Sequence, residues 1–154
     1  PDRYGAGGAG GAGGAGGASG IDTTGLGDPN NPTSIAYFNQ TVGDRVLFAN
    51  DQSTLSPEGR GILTAQANWL NQNAGYAAII EGHADEKGTR EYNLALGARR
   101  AAAVQNFLIS QGVAANRLRT ISYGKERPLE VCSEEACYAK NRRAVTVLSA
   151  GAGV

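Results

Sequence analysis

Asp85 and Arg100 are two charged residues at positions where a charge is expected to be buried. Asp85 follows the apolar residues 76–80, which predict a buried strand. Arg100 falls within about 60° of Leu96 and Val104 when residues 89–111 are projected as a helix, on the stripe that should face the core. Because a buried charge without a partner is unfavourable, each of the two residues needs one.

Two arrangements satisfy both residues. In the first, Asp85 and Arg100 neutralise each other as a structural ion pair, which is costly to desolvate and of modest net value. In the second, they lie apart as opposite walls of a groove. Such a groove fits a ligand that carries an ammonium and a carboxylate on one carbon, with the guanidinium binding the carboxylate. The charges alone leave both arrangements open.

The distance along the predicted helix sets a condition on the second arrangement. With a helix that starts near Thr89, Arg100 lies about 16 Å along the axis, and its side chain recovers only about 6–7 Å by leaning toward the N-terminus. The loop that contains Asp85 must therefore fold back along the helix. We expect that it does.

The hydrophobic pattern predicts the elements that position these residues. Strands are expected at residues 45–48, 76–80, 119–123 and 144–148. Ser56 and Thr89 are expected to cap two long helices, the second ending before Gly112, and residues 134–141 predict a short helix. The order β-α-β-α-β-(α)-β predicts an α/β fold of the α+β two-layer type, with the helices packed on one face of a small mixed sheet. The loops after the first two strands, at residues 50–51 and 83–89, should then meet at one edge.

Composition divides the chain into three parts. Residues 1–32 contain a Gly/Ala repeat and two X-Pro steps, and we expect a flexible tether and linker there. Residues 33–149 are expected to form the folded domain and residues 150–154 a disordered tail. With 14 basic and 14 acidic residues, the chain lacks the basic field that nucleic-acid binding needs, so no nucleic-acid partner is expected.

Cys132 and Cys137 predict a local disulfide, which would imply an oxidising compartment, although two free thiols in the cytosol stay an alternative. His83 is the only histidine and lies far from both cysteines in sequence, so no metal site is expected. It also has no recognisable nucleophile beside it, and we interpret it as structural. No cofactor and no catalytic residue are expected.

Four blocks of sequence carry a resemblance to a known family. They are G-H-A-D-E-K-G-T-R-E-Y-N-L-A-L-G-A-R-R-A, V-x-x-F-L-x-x-x-G-V, S-Y-G-K-E-R-P and N-R-R-A-V, in this order along residues 82–145. Together they resemble the OmpA-like peptidoglycan-binding domain, and the resemblance extends over residues 42–148. Because the resemblance is this long and the four blocks follow the order of the family, chance similarity does not explain it.

The resemblance implies non-catalytic binding of peptidoglycan stem peptides through meso-diaminopimelate. The key aspartate and arginine of the family match Asp85 and Arg100. Thr89 and Leu96 match neighbouring positions of the groove, and Asn50 and Asp51 match the loop that closes the pocket.

The resemblance also implies partners and a location. Some family members bind TolB, and we expect TolB and other Tol proteins as partners. These members are held at the periplasmic face of the outer membrane of Gram-negative bacteria by an N-terminal lipid anchor, which this chain does not contain. The role implied is to tether the outer membrane to the cell wall, as part of the Tol system in envelope integrity and division.

Two alternatives to this role stay open. The chain could be the OmpA-like domain of another envelope protein, or a protein-interaction module that binds TolB with Asp85 and Arg100 as a purely structural pair. A peptidoglycan hydrolase is not favoured, because the sequence offers no zinc triad, no Cys-His pair and no evident pair of acid/base carboxylates.

Overall fold

The computed structural model describes residues 25–150, apart from residues 86, 130 and 133. The Gly/Ala repeat of the predicted tether and residues 151–154 of the predicted tail lie outside the described residues. Along the described chain the elements are α1 (Ile35–Tyr37), a π-helical segment (Phe38–Gly43), β1 (Arg45–Leu47), α2 (Pro57–Gln72), β2 (Tyr76–His83), α3 (Arg90–Ser110), a 3-10 turn (Ala115–Arg117), β3 (Leu118–Gly124), α4 (Glu135–Asn141) and β4 (Arg143–Ala150).

The four strands form one mixed sheet in the order β1-β4-β2-β3. β2 and β3 are parallel, as a helical crossover between them requires, and β4 runs antiparallel to both β1 and β2. The predicted α+β two-layer fold with a small mixed sheet is therefore confirmed. The last strand lies in the middle of the sheet, which brings the C-terminal part of the domain next to the ends of β1 and β2.

One hydrophobic core joins the two long helices to the sheet. Tyr76, Ala78 and Ile80 contribute to it from alternate positions of β2, as the pleat of a strand requires. Leu63 of α2 and Val104 of α3 belong to the same cluster, so both helices pack on the same face of the sheet.

The ends of the long helices follow the predicted capping residues. The Ser56 hydroxyl accepts a hydrogen bond from the Gly59 amide at 3.0 Å, and the Thr89 hydroxyl accepts one from the Tyr92 amide at 3.1 Å. Gly112 follows α3 with a φ of +100°, the left-handed conformation that ends many helices. Local sequence therefore determines where α3 begins, and with it the place of Arg100.

A close contact between two glycines seats α3 directly on β2. A Cβ atom on Gly82 would lie 1.7 Å from the carbonyl oxygen of Gly97, and one on Gly97 would lie 2.4 Å from the Ser122 hydroxyl. Only glycine at both positions allows the backbones to approach this closely. Arg100, one turn after Gly97, is thereby brought to the end of β2.

The segment before β1 adds structure that was not predicted. α1 and the π-helical segment are too short to show a clear hydrophobic period, yet Phe38 is fully buried in the core. Residues 25–32, part of the predicted linker, also reach the core. Leu26 packs against it, and the Pro32 carbonyl accepts a hydrogen bond from the indole N–H of Trp69 at 2.8 Å.

Candidate functional site

A pocket of about 380 Å³ opens where the loop after β1, the loop after β2 and the first half of α3 meet. A volume of this size suits a small ligand or the head group of a larger one. Five of the six predicted site residues line it together with four others, and the full lining is Asn50, Asp51, Asp85, Lys87, Gly88, Tyr92, Asn93, Leu96 and Arg100.

Arg100 is completely buried and binds three backbone carbonyls. Its Nε donates to the oxygen of Gln52 at 2.7 Å, Nη1 to that of His83 at 2.8 Å and Nη2 to that of Ala49 at 3.1 Å. It therefore fastens the loop after β1 to the end of β2. A guanidinium has five N–H groups, and three of them have a protein acceptor in the described structure, which leaves one N–H on each terminal nitrogen without one.

Burial lowers the pKa of Arg100 to about 10, although the negative charge of Asp85 acts in the opposite direction. The guanidinium also lies over the ring of Phe48, with 5.2 Å from Cζ to the ring centroid. Since a pKa of about 10 is well above neutral pH, Arg100 supplies a positive charge to the pocket.

Asp85 forms its ion pairs with residues other than Arg100. Its Oδ2 lies 3.2 Å from Nη1 of Arg142 and 3.7 Å from Nζ of Lys87, while Oδ1 accepts a hydrogen bond from the Lys87 amide at 3.1 Å. Within the described part of the chain no ion pair joins Asp85 to Arg100. Asp85 and Arg100 therefore do not neutralise each other directly.

Arg142 connects this wall of the pocket to α4. It is 5% exposed, and its Nε donates to the Phe48 carbonyl at 3.0 Å. Its Nη2 lies 2.6 Å from Oε2 of Glu135. Burial acts to lower the pKa of Arg142, but the hydrogen bonds to Glu135 and Asp85 outweigh it and raise the pKa.

The loop after β2 folds back along α3 as expected. The side-chain amide of Asn93 donates to the carbonyls of Lys87 at 2.6 Å and Thr89 at 2.9 Å, and Gly88 between them has a φ of +91°. Nζ of Lys125 donates to the Gly88 carbonyl from outside, at 2.8 Å. These contacts, with the bond from Arg100 to the end of β2, hold both predicted charges at the same pocket.

Two residues of the pocket lining, Asp51 and Tyr92, contact each other directly. Asp51 has a φ of 61°, unusual for a residue other than glycine, and its carboxylate accepts a hydrogen bond from the Tyr92 hydroxyl. This hydrogen bond raises the pKa of Tyr92. Tyr92 supplies an aromatic ring to the same lining as Asn50.

Thr89 is the one predicted site residue that does not line the pocket. Its hydroxyl is used in the N-terminal cap of α3, where it accepts the amide proton of Tyr92. Thr89 contributes to the pocket through the position of the helix.

We expect Thr89→Ala to lower the free energy of unfolding by about 1 kcal/mol, because the cap hydrogen bond is lost. Affinity for a diaminopimelate peptide should change by less than about threefold, a factor worth well under 1 kcal/mol. Chemical denaturation and calorimetry measure the two effects, with Thr89→Ser as the control that keeps the cap. A large loss of affinity with unchanged stability would instead make Thr89 a direct ligand contact.

Four lining residues are additions to the predicted set. Tyr92 could have been found, since it precedes Leu96 and Arg100 at intervals of four and so shares their helix face. Asn93 lies beside it on the same helix. Lys87 and Gly88 carry no periodic signal, because they belong to an irregular loop.

The cysteines and the histidine lie outside the pocket lining. Cys132 and Cys137 form a disulfide, as predicted. His83 is buried, its ring lies 5.5 Å from that of Tyr123 and its Nε2 is 3.1 Å from Oε1 of Glu81. In the described ranges no cluster of His, Cys, Asp and Glu could hold a metal ion, and no helix is long and apolar enough to cross a bilayer.

Comparison with known sequences gives one consistent family. The peptidoglycan-associated lipoprotein of Mesorhizobium japonicum is 58% identical over 122 residues, which cover 79% of this chain and 72% of that protein. The protein of the same name from Agrobacterium fabrum is 54% identical over 132 residues, with coverages of 84% and 74%. These names denote a peptidoglycan-associated lipoprotein and not an enzyme, in agreement with the expected non-catalytic role.

Solved structures show the same fold. The peptidoglycan-associated lipoprotein from Burkholderia pseudomallei superposes with a TM-score of 0.70 at 36% identity, over 79% of this chain and all of that one. The C-terminal domain of Helicobacter pylori MotB gives a TM-score of 0.65 at 23% identity, over 71% of this chain and 86% of that one, which is a likeness of fold alone. Residues 47–142, well over half of the chain, match the OmpA family. The chain therefore belongs to the OmpA family.

Proposed function

We propose that this domain binds peptidoglycan through the diaminopimelate residue of its stem peptide, without catalysing a reaction. The observation that carries the proposal is the lining of a single pocket by Asp85 and Arg100, with no ion pair between them among the described residues. A pocket with one acidic and one basic wall suits a group that is itself a zwitterion. The names of the relatives point to peptidoglycan as the source of that group.

Diaminopimelate meets the requirement at the end of its side chain, where one carbon carries both an ammonium and a carboxylate. The carboxylate would take the two remaining N–H groups of Arg100, and the ammonium would approach Asp85. Leu96, which is 4% exposed, would provide an apolar floor for the methylene groups between. Lysine has the ammonium but lacks this second carboxylate, so a lysine-type stem peptide should leave Arg100 without a partner.

The same proposal includes a place in the cell. Relatives that are named peptidoglycan-associated lipoproteins support an envelope role in Gram-negative bacteria, at the outer membrane. We infer that the domain tethers the outer membrane to the cell wall from the periplasmic side, as part of the Tol-Pal system. The disulfide between Cys132 and Cys137 agrees with an oxidising compartment. Binding of TolB or another Tol protein stays a prediction from the family resemblance.

Calorimetric titration with two soluble stem peptides tests the proposed ligand. A peptide that ends in diaminopimelate should bind saturably, and its lysine counterpart should bind at least about 30-fold more weakly, because a charged hydrogen-bonded contact of about 2 kcal/mol is missing. Equal affinity for both peptides would contradict recognition of the second carboxylate, and absence of binding for both would contradict the proposal as a whole.

A further inference from the structure

Four charged side chains form a cluster beside the pocket, which we call the Asp85 cluster: Asp85, Lys87, Glu135 and Arg142. Arg142 lies between the two carboxylates, 3.2 Å from Oδ2 of Asp85 and 2.6 Å from Oε2 of Glu135. Lys87 is shared in the same way, with Nζ 3.7 Å from Asp85 and 3.8 Å from Glu135. The cluster thus has two cations and two anions.

Glu135 balances the charge of the Asp85 cluster. With Glu135 in place, part of the positive charge of Arg142 and Lys87 is taken up outside the pocket, and Asp85 keeps a share of its negative charge for a ligand. Without it, two cations face one carboxylate, and the sum within the cluster becomes +1. Because charge interactions at these distances are strong near a protein surface, an incoming ammonium would then be disfavoured.

The position of Glu135 depends on α4, a helix of only seven residues. A helix this short is marginal by itself, and its N-cap residue Glu134 makes no side-chain hydrogen bond that would stabilise its start. Glu135 itself is exposed although its partner Arg142 is buried, and holding an exposed side chain in one geometry costs conformational entropy. A further restraint on the helix would keep Glu135 in place.

Cys132 provides that restraint at both ends of α4. It is joined to Cys137 in the first turns of the helix by the disulfide, and its Sγ accepts a hydrogen bond at 3.0 Å from the side chain of Asn141, the last helical residue. Asn141 is fully buried, and its Oδ1 accepts the amide proton of Leu129 at 2.7 Å. The ring closed by the disulfide encloses Glu135.

We propose that Glu135, held by the Cys132–Cys137 disulfide, is a positioning residue that keeps Asp85 available to the ammonium group of the ligand. The inference rests on the proposed function, since it concerns the same pocket and the same zwitterionic ligand. Affinity for the ligand then depends on the redox state of this disulfide, although the disulfide does not line the pocket.

Glu135→Gln is the direct test, with the diaminopimelate peptide as probe. Glutamine keeps the shape of the side chain and an oxygen that can accept from Arg142, so only the charge is lost. We expect affinity to fall about five- to tenfold at unchanged stability. Glu134→Gln removes the same charge one residue earlier and should leave affinity within about twofold, and Glu135→Asp, which keeps the charge, should bind more tightly than E135Q.

Reduction of the disulfide with a phosphine tests whether the disulfide holds Glu135 in place. The reduced wild-type domain should lose affinity by a factor similar to that of E135Q, and reduction should add little to the loss in E135Q, because both changes act through one carboxylate. Equal effects of reduction on the two proteins would contradict the role of the disulfide in holding Glu135.

The outcomes separate this inference from the proposed function. If the wild-type domain binds the peptide and E135Q binds it as tightly as E134Q does, Glu135 has no positioning role. The pocket then remains the binding site. Absence of wild-type binding overturns both.

Discussion

Arg100→Ala is expected to lower the free energy of unfolding by about 3–5 kcal/mol, because each buried carbonyl that loses its hydrogen-bond donor costs about 1–3 kcal/mol. Three carbonyl oxygens, those of Ala49, Gln52 and His83, lose their common donor. The deleted side chain also leaves a cavity, since Arg100 is among the largest fully buried side chains of the domain. Denaturation with urea, followed by circular dichroism, measures the change.

Arg99→Ala is the matched control for this variant. Arg99 is the preceding residue of the same helix and is exposed, so its replacement should change stability by no more than about 0.5 kcal/mol. If the two variants unfold at the same urea concentration, Arg100 does not clamp the loops as its hydrogen bonds indicate. Because R100A loses stability, a loss of binding in it would not by itself assign Arg100 as a ligand contact.

Asp85→Asn is expected to weaken binding of the diaminopimelate peptide by at least about 30-fold while the domain stays folded. Truncating one side of a buried charged contact costs about 2 kcal/mol or more. Asparagine keeps an oxygen for the Lys87 amide, and Arg142 keeps its bonds to Glu135 and the Phe48 carbonyl. Calorimetry gives the affinity, and thermal unfolding followed by circular dichroism gives the fold.

Glu91→Gln controls for the loss of negative charge at a distance. Glu91 lies in the first turn of α3, is exposed and does not line the pocket, so this variant should bind within about twofold of the wild-type domain. If Asp85→Asn binds the peptide as tightly as E91Q does, Asp85 is not a ligand contact.

Local features of the sequence predicted the parts of the fold that depend on neighbours in the chain. Ser56 and Thr89 mark helix starts because their hydroxyls cap amides three residues later. Arg100 was expected to be buried from its place on the helix stripe, and it is fully buried. The disulfide was expected from the spacing of two cysteines.

Contacts between distant segments could not be predicted in the same way. Arg142 pairs with Asp85 across 57 residues, because β4 enters the middle of the sheet, and no periodic pattern reports strand order. The partners of Arg100 are backbone carbonyls, which every sequence offers at every position. Their identity follows only from the close packing of α3 on β2 at Gly82 and Gly97.

The structure also adds a second role for Arg100. It was expected chiefly as a contact for a carboxylate, and it is also a clamp that fastens the loop after β1 to the end of β2. The two roles are compatible, since the clamp uses three of its five N–H groups. A residue that holds its own binding site together is rigid before the ligand arrives, which reduces the entropy lost on binding.

Mapping the diaminopimelate peptide on the domain by NMR tests directly whether the pocket with Asp85 and Arg100 is the binding site. Titration into the ¹⁵N-labelled wild-type domain should shift the amide signals of Lys87, Gly88, Asn93 and Leu96, together with the side-chain Nε–H of Arg100, in one saturable process. These shifts are expected to disappear in Asp85→Asn. Saturable binding whose shifts lie on another surface, or binding that Asp85→Asn leaves unchanged, would contradict it.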